Sequence, residues 1–315
     1  MKILNNRYTV GLIAVTFLVI AGCGGSGSGS GEKTGRISLS VSDGPIHEAK
    51  KVCIAFSEIE FHSGAVSFVE DLGPVVVNLL EFQGMNAAPL LFDLELPAGE
   101  YQWMRLGVNA EFGGLGGQGV TDPELAECQG EESYIEMTDG AVYNLYVPSS
   151  ALNGLKLVGG FTVPVNGSAD FTAEFDLMKS VTMPSGLQPD VVLRPTIRLV
   201  NNVEVGTLTG EVSSGLATGS ILELLTCVPS VYVFDDGVTP NAIDMEVVDE
   251  MDPIATAMVN EQTDLEGQVS YHYTVGYLLP GDYEVTFTCD GTTFQPADGK
   301  AAEIFVQELT EVDFP

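Results

Sequence analysis

The chain has 315 residues, of which 44 are acidic and 12 basic, so its formal charge is −32 at pH 7. A surface this acidic repels phosphate groups and anionic lipid headgroups, and we therefore exclude nucleic acid as a partner. Hydrophobic residues make up 45% of the sequence, a proportion that indicates a folded protein and not a disordered one.

The first 22 residues have the pattern of a secretory signal. Basic residues precede an apolar run, residues 10–21, which is too short to span a bilayer as a helix. The junction at residues 19–23, with the sequence VIAGC, resembles the bacterial lipobox. This resemblance implies cleavage after Gly22 and attachment of lipid, palmitate included, to Cys23. The alternative is an ordinary signal peptide followed by a chance cysteine.

A flexible tether follows the lipid cysteine. Residues 24–31 are all glycine or serine, and chains of this composition behave as flexible coils. We interpret residues 23–34 as a lipidated cysteine and a tether that holds a folded body away from a membrane. Enterobacterial lipoproteins of the inner membrane have aspartate where this chain has Gly24. That resemblance implies an outer-membrane lipoprotein, facing either the periplasm or the cell surface.

Short alternating segments indicate β-strands between the tether and residue 200. In the first of them, Ile37, Leu39 and Val41 fall on one face, and Gly, Pro, Asn or Asp separates most of the segments. No long segment keeps a 3.6-residue period, so we expect few and short helices. The predicted strands are Arg36–Val41, Val52–Phe56, Val75–Leu80, Trp103–Asn109, Val142–Val147, Phe161–Val165, Ala169–Phe175 and Val191–Val200.

A second series of strands begins after residues 201–202, and we place a domain boundary between residues 203 and 204. Two similar phrases, LPAGEY at residues 96–101 and LPGDY at residues 279–283, each predict a tight turn that leads into a strand. The strands predicted in this second series are Gly206–Val212, Val231–Phe234, Ala255–Val259, Val269–Val275, Tyr283–Cys289 and Ala302–Val306.

Many short strands separated by turns are typical of sandwiches and barrels. We therefore predict an all-β protein with two β-sandwich domains of the immunoglobulin- or transthyretin-like kind, residues 35–203 and 204–315. The second domain resembles the extracellular sandwiches of the transthyretin and carboxypeptidase-regulatory kind. This resemblance concerns the fold and implies no chemistry.

Four stretches in a fixed order carry a family resemblance. They are GRISLSVSDGP at residues 35–45, VCIAFSEIEFH at 52–62, VNLL followed by LFDLELPAGEYQWMRL within 77–106, and three segments within 154–200. Over residues 35–200 the chain resembles the bacterial domain of unknown function numbered 4382. That family occurs on exported, often lipid-anchored proteins and has no established activity. The resemblance therefore implies a fold and a location, but no reaction.

Four cysteines remain once Cys23 is assigned to lipid: Cys53, Cys128, Cys227 and Cys289. An even number in an exported chain indicates disulfides, and four cysteines allow three pairings. We favour Cys53–Cys128 and Cys227–Cys289, because each pair then falls within one predicted domain. The sequence has no C-x-x-C spacing of the kind found in zinc sites.

One acidic segment of the second domain is a candidate calcium site, because calcium prefers six to eight oxygen ligands, often from loops. No stretch follows the spacing of an EF-hand loop, and the alternative is a solvated acidic face. No other cofactor is predicted. The candidate calcium ligands are Asp235, Asp236, Asp244, Asp249 and Asp252.

Two motif matches do not indicate enzymes. Residues 25–29 match G-x-S-x-G but lie in the tether, without the strand and helix that a nucleophile elbow requires. Residues 114–119 match G-x-G-x-x-G but lack the βαβ unit of a dinucleotide site. We expect Asn166-Gly167 to form a hairpin turn between the strands on either side. Trp103 could form a sugar-binding platform, but the more frequent role of a lone tryptophan is in a core.

These observations predict a non-enzymatic, lipid-anchored protein of the cell envelope. Its role would be structural or binding, in adhesion or envelope assembly, with the membrane as one partner through Cys23. An envelope protein or a polysaccharide would be the other partner. The alternative from another class is an envelope polysaccharide hydrolase that uses a carboxylate pair buried between the two domains.

Overall fold

A computed structural model describes residues 33–44, 46, 49–64, 66–113, 127–148, 154–182, 190–218, 227–243 and 251–315. The predicted lipid site at Cys23 lies outside these residues, as do the candidate calcium ligands Asp244 and Asp249. Helices are few and short in the described part: a 3₁₀ turn at Leu79–Glu81 and single turns at Leu177–Ser180 and Ser214–Ala217. None of them has the length and apolar character of a membrane-crossing helix.

Three sheets build the first body, residues 34–201. Sheet A consists, in spatial order, of β14 (Ile197–Asn201), β11 (Ser168–Asp176), β1 (Thr34–Gly44) and β4 (Ala88–Pro97). Sheet B consists of β12 (Val181–Thr182), β13 (Asp190–Leu193), β8 (Val142–Tyr146), β7 (Tyr134–Met137), β2 (Ala49–Ser63), β6 (Trp103–Val108) and β9 (Leu155–Leu157), with β3 (Val66–Asn78) also paired with β2. The small sheet C pairs β10 (Phe161–Val163) with β5 (Gly99–Tyr101).

The core of the first body lies between sheets A and B. Alternation in β1 sends Ile37, Leu39 and Val41 to this side, where all three are fully buried, because successive side chains of a strand point to opposite faces. Across the layer, Phe56 of sheet B meets Phe175 of sheet A edge to face, with ring centroids 6.3 Å apart. This arrangement is a sandwich.

Two sheets build the second body, residues 206–315. Sheet D consists of β18 (Asn260–Thr263), β19 (Val269–Leu278), β15 (Gly206–Glu211) and β22 (Leu309–Glu311). Sheet E consists of β17 (Ala255–Met258), β16 (Ser230–Asp235), β20 (Gly281–Thr288) and β21 (Phe294–Ile304). Tyr273 of sheet D and Phe287 of sheet E both pack on Phe314 in a second, separate core. The predicted all-β sandwich class is confirmed.

The chain turns at both of the similar phrases, LPAGEY at residues 96–101 and LPGDY at residues 279–283, as the sequence predicts. The Tyr101 hydroxyl donates a hydrogen bond to the carbonyl of Pro97 at 2.9 Å. In the second body the Tyr283 hydroxyl donates to the carbonyl of Leu279 at 2.7 Å. Tyr101 is the last residue of β5 and Tyr283 is the third residue of β20. Each tyrosine thus ties its strand to the backbone four residues earlier, as in the tyrosine corner of immunoglobulin-like sandwiches.

Two local predictions are wrong. The predicted strand Val191–Val200 is two strands, β13 and β14, in different sheets, and Pro195 lies in the break because proline cannot donate to a central ladder. Asn166 does form a turn, with a positive φ of 53°, and the Gly167 amide donates to the Pro164 carbonyl. The turn does not close a hairpin, because β10 pairs with β5 while β11 pairs with β1 and β14.

Candidate functional site

A cleft of about 410 Å³ lies between the two bodies. One wall is the junction loop, residues 79–87, which connects β3 to β4. The other wall comes from β17, β18 and β19 of the second body. Its volume falls in the range of small-molecule sites. The polar residues that line it are Glu81, Gln83 and Asn86 on the first wall and Thr256, Asn260, Gln262, His272, Tyr273 and Thr274 on the second.

The end of β1 holds the junction loop in the first body. The Ser42 hydroxyl lies 3.0 Å from the carbonyl oxygen of Phe82 and 2.9 Å from that of Asn86. The Asp43 amide donates to the Phe82 carbonyl at 2.9 Å. Because Ser42 and Asp43 are both buried, these contacts are shielded from competing water, and the loop is well fixed.

The second body contacts the same loop from the opposite side. Gly276 of β19 approaches the loop so closely that a Cβ atom on it would lie 2.1 Å from the carbonyl oxygen of Gly84. The neighbouring Tyr277 hydroxyl donates to the carbonyl of Met85 at 3.1 Å. The two walls of the cleft therefore meet at a close backbone approach and at one side-chain hydrogen bond.

Near the end of β1 lies a second feature, a cluster of three carboxylates with two cations, in which Asp43 and Asp176 are buried and Glu174 is partly buried. Glu174 pairs with Arg198 across β11 and β14. Asp176 caps the helical turn Leu177–Ser180 by accepting from the amide of Lys179, whose Nζ also lies 3.4 Å from Oδ2 of Asp176. Asp43 accepts from the amide of Leu177 at 3.3 Å, and its Oδ2 has no hydrogen-bond partner among the described residues.

Burial raises the pKa of all three carboxyl groups, because the charged form is poorly solvated inside the protein. The pKa of Glu174 rises from 4.5 to about 7 through burial, although the positive charge of Arg198 opposes the rise. The pKa of Asp176 also rises through burial, against the charge of Lys179. Burial and the negative charge of Asp176 raise the pKa of Asp43 well above its ordinary value. None of these three side chains lines the cleft.

Both predicted disulfides are present. Cys53 of β2 bonds Cys128, with Cα atoms 5.8 Å apart, and Cys227 bonds Cys289, with Cα atoms 4.5 Å apart. Cys53 is fully buried, because the segment around Cys128 covers the face of β2 opposite the core. In that segment the Ser133 hydroxyl accepts from the amide of Ala55 at 3.0 Å.

The candidate calcium ligands are only partly described. Asp235 ends β16, and both it and Asp236 are exposed, whereas Asp252 is buried. Within the described ranges, no group of three or more Asp, Glu, His or Cys side chains is placed to hold a metal ion. The calcium prediction also rests on Asp244 and Asp249, outside those ranges, and it stays a prediction.

Trp103 is not a core residue, and the preference for that role is wrong. It lies half-buried on the outer face of β6, while Met104 and Leu106 point into the core. The His62 ring stacks on the indole at 4.5 Å, and the cations of Arg105 and Lys156 lie over it at 4.8 and 4.5 Å. The ring is therefore occupied by neighbouring side chains, and an open sugar platform would require their displacement.

Sequence reasoning missed the cleft residues. Gln83 and Gln262 are 179 positions apart and belong to no motif, so only the packing of the two bodies brings them together. A signal did exist for the carboxylate cluster. Asp43 is the last residue but one of the alternating apolar strand β1, and Asp176 is the last residue of β11. Carboxylates at the ends of two alternating strands predict a charged end of the sheet if the strands are neighbours.

Fold and site together define an all-β protein of two sandwich bodies that share a polar cleft. Residues 34–195 match the family model described as domain of unknown function (DUF4382), and the chain belongs to this family. The match covers half of the chain and ends before the second body begins. No curated protein matches the chain.

Among solved structures, similar chains include a leucine-rich repeat protein from Bacteroides thetaiotaomicron, at 15% identity and a TM-score of 0.22, over 90% of this chain and 26% of that one. The Bacillus anthracis TIE protein is similar at 10% identity and a TM-score of 0.19, over 89% of this chain and 33% of that one. This chain thus spans about a quarter and a third of their lengths. A third similar structure is that of GBS52, the minor pilin of Streptococcus agalactiae, at 12% identity and a TM-score of 0.19. The similarity extends over 88% of this chain and 94% of that one.

Proposed function

We propose that this chain is a non-enzymatic, lipid-anchored protein of the cell envelope that binds a ligand in the cleft between its two bodies. One observation carries the proposal: the cleft has a polar wall from each body, and the side-chain amides of Gln83 and Gln262 have no hydrogen-bond partner within the described residues. Polar groups that converge on a cavity without internal partners are typical of ligand sites.

The carboxylates support binding over hydrolysis. Acid–base cleavage of a glycoside needs two carboxyl groups that both reach the scissile bond. Glu174 and Asp176 are paired with Arg198 and Lys179 and do not line the cleft. A hydrolase that uses this pair is the alternative class, and the raised pKa of Glu174 is the observation that favours it.

The lipid anchor rests on the sequence at Cys23 and on the tether behind it. Lipid at Cys23 places the protein in the cell envelope, and the glycine at position 24 favours the outer membrane. A tethered body with a polar cleft is suited to hold an envelope polysaccharide or an envelope protein near the membrane. Adhesion and envelope assembly are the roles that fit this arrangement.

Co-sedimentation with envelope polysaccharide tests the proposal. Full-length lipoprotein in detergent would be mixed with polysaccharide isolated from the same cells, and the bound fraction measured for wild type and for the Gln83→Ala/Gln262→Ala double variant. We expect the double variant to lose binding, because the free amides of both walls are removed. Gln268→Ala, which removes an exposed amide outside the cleft, is the matched control and should bind like wild type.

The same material distinguishes the two function classes. Released reducing ends would be assayed in parallel with wild type and with Glu174→Gln. A non-enzymatic protein releases none. Release by wild type that disappears in Glu174→Gln would establish the hydrolase instead. Equal binding by wild type and the double variant would remove the cleft from the proposal.

A further inference from the structure

We propose that the cleft between the bodies selects an uncharged, hydroxyl-rich ligand, namely a neutral saccharide, over an anionic one. The inference rests on the proposed function and names the ligand class of the same site.

The hydrogen-bonding groups of the cleft match hydroxyl groups. Gln83 and Gln262 each present a free amide from opposite walls. Asn86 donates one N–H to the carbonyl of Gln83 at 3.2 Å, and Asn260 donates one to the carbonyl of Met258 at 3.3 Å. Their Oδ1 atoms have no hydrogen-bond partner in the described part of the chain. An amide both donates and accepts, as a sugar hydroxyl does, so each amide can satisfy a hydroxyl in either role.

The charges of the cleft disfavour an anion. No lysine or arginine belongs to the described residues that line it. Glu81 is the carboxylate of the first wall, and His272 on the second wall lies 3.7 Å from Glu211. The chain as a whole has a charge of −32. An anionic sugar would enter this field without a lysine or arginine of the described lining to pair with, and a buried or half-buried charge without a partner is strongly unfavourable.

The apolar part of the lining favours a sugar over a wholly polar solute. Carbon atoms of Leu80, Met85, Ala257 and Met258 contribute to the walls beside the amides, and Met85 is 60% exposed. A pyranose has hydroxyl groups at its rim and C–H groups on its faces. A methionine thioether is flexible and polarizable, so it can adapt to such a face. The lining thus offers both kinds of contact that a ring of this chemistry requires.

The walls are also fixed before a ligand arrives. Ser42 and Asp43 hold the junction loop from the first body, and Gly276 and Tyr277 contact it from the second. A site whose groups are already in place loses less conformational entropy on binding than one that must be ordered. Weak hydrogen bonds to several hydroxyl groups can therefore add up to useful affinity.

Titration calorimetry with defined oligosaccharides tests the ligand class. Full-length protein in detergent would be titrated with neutral hexasaccharides of glucose, mannose and galactose, and with hexasaccharides of galacturonate and of mannuronate. We expect at least one neutral hexasaccharide to bind, and every uronate to bind at least tenfold more weakly. The double variant Gln83→Ala/Gln262→Ala should lower the neutral affinity at least tenfold, and Gln268→Ala should leave it unchanged.

A second test of the inference places a positive charge in the cleft. Gln262 is exposed, so Gln262→Lys should fold normally, and it should raise uronate affinity while lowering preference for the neutral hexasaccharide. Urea midpoints of all variants would be compared with wild type, so that a loss of folding is recognised as such.

The outcomes separate this inference from the proposed function. Uronates that bind as tightly as neutral saccharides, or binding by cationic glucosamine hexasaccharides alone, would overturn the neutral-saccharide inference. Binding of envelope polysaccharide that depends on Gln83 and Gln262 but is not competed by any neutral hexasaccharide would also overturn it, while the proposed function stands. If neither envelope polysaccharide nor any hexasaccharide responds to the cleft variants, both fail.

Discussion

Gly84 and Gly276 meet backbone to backbone, with 2.1 Å between the carbonyl oxygen of Gly84 and the position that a Cβ atom would take on Gly276. Gly84 belongs to the first body and Gly276 to the second, so any side chain at position 276 must push the junction loop away from β19. The contact between the bodies thus depends on the absence of one carbon atom.

The first prediction concerns this contact. Gly276→Ala should destabilise the protein by about 1–3 kcal/mol, the usual cost of overpacking, and should expose the junction loop to protease. Gly281→Ala is the control, because a Cβ atom there would be 3.7 Å from its nearest neighbour. Urea unfolding and limited proteolysis provide the measurement. Matching midpoints for the two variants would contradict the contact.

The second prediction concerns the pH dependence of stability. The folded-state pKa of Glu174 is raised from 4.5 to about 7, so folding favours its protonated form. The resulting stabilisation is fully present below pH 4.5 and is lost as the pH rises to about 7. Glu174→Gln should therefore gain stability relative to wild type between pH 4 and pH 8, by at most about 3 kcal/mol.

The control for that experiment removes a charge elsewhere. Glu266 lies on an exposed turn, and Glu266→Gln changes the formal charge by the same amount as Glu174→Gln. Melting temperatures at several pH values should show a difference between the two variants that grows with pH. Parallel curves would show that general charge repulsion, and not the buried carboxyl group, sets the pH dependence.

A third prediction concerns the disulfide of the first body. Cys53 and Cys128 are 75 residues apart in sequence, and the chain-entropy model assigns about 4 kcal/mol to a loop of this size. The double variant Cys53→Ala/Cys128→Ala should have a free energy of unfolding lower by roughly that amount, which is a large share of the typical 5–15 kcal/mol for a folded domain. Residues 127–133 should then become accessible to protease. Peptide mapping should still find Cys227 bonded to Cys289. A urea midpoint equal to that of wild type would refute the stabilising role.

The tyrosine corners give a fourth prediction. Tyr101→Phe and Tyr283→Phe each remove one hydrogen bond to a backbone carbonyl, and each should cost about 1 kcal/mol. Tyr143→Phe is the control, because its hydroxyl has no hydrogen-bond partner in the described part of the chain. Denaturant unfolding would measure all three, and a corner variant as stable as the control would argue against the tie.

The fifth prediction concerns the anchor. Cys23→Ser removes the sulfur to which we propose that lipid attaches, so the protein should leave the membrane fraction or remain unprocessed. Membrane fractions washed with high salt and probed by immunoblot would show this. A variant that still resists extraction by salt would owe its attachment to something other than the lipid.

Local patterns predicted local structure well. The alternation of Ile37, Leu39 and Val41 identified β1, and the phrases before Tyr101 and Tyr283 identified their turns, because strand periodicity and turn chemistry are properties of neighbouring residues. The break at Pro195 was readable in principle, since proline rarely occupies a central strand, but the apolar residues around it outweighed that signal.

The pairing of strands that are distant in the sequence could not be predicted from the sequence alone. The Asn166 turn has the residues of a hairpin, yet its two strands join different sheets, because partners such as β1 and β5 compete for them. The cleft depends on even longer range packing. In the sequence Gln83 and Gln262 belong to no motif, and they line the same cleft only because the two bodies pack together.

The origin of the two cleft walls limits what family membership says about ligand specificity. Residues 34–195 belong to the family, and the junction loop lies within that range, but Asn260, Gln262 and His272 come from beyond it. A relative followed by a different second body would keep one wall and replace the other. Its ligand could then differ completely while its family assignment stayed the same. In such chains the ligand specificity would depend on both domains, the family domain and the domain that follows it in the sequence.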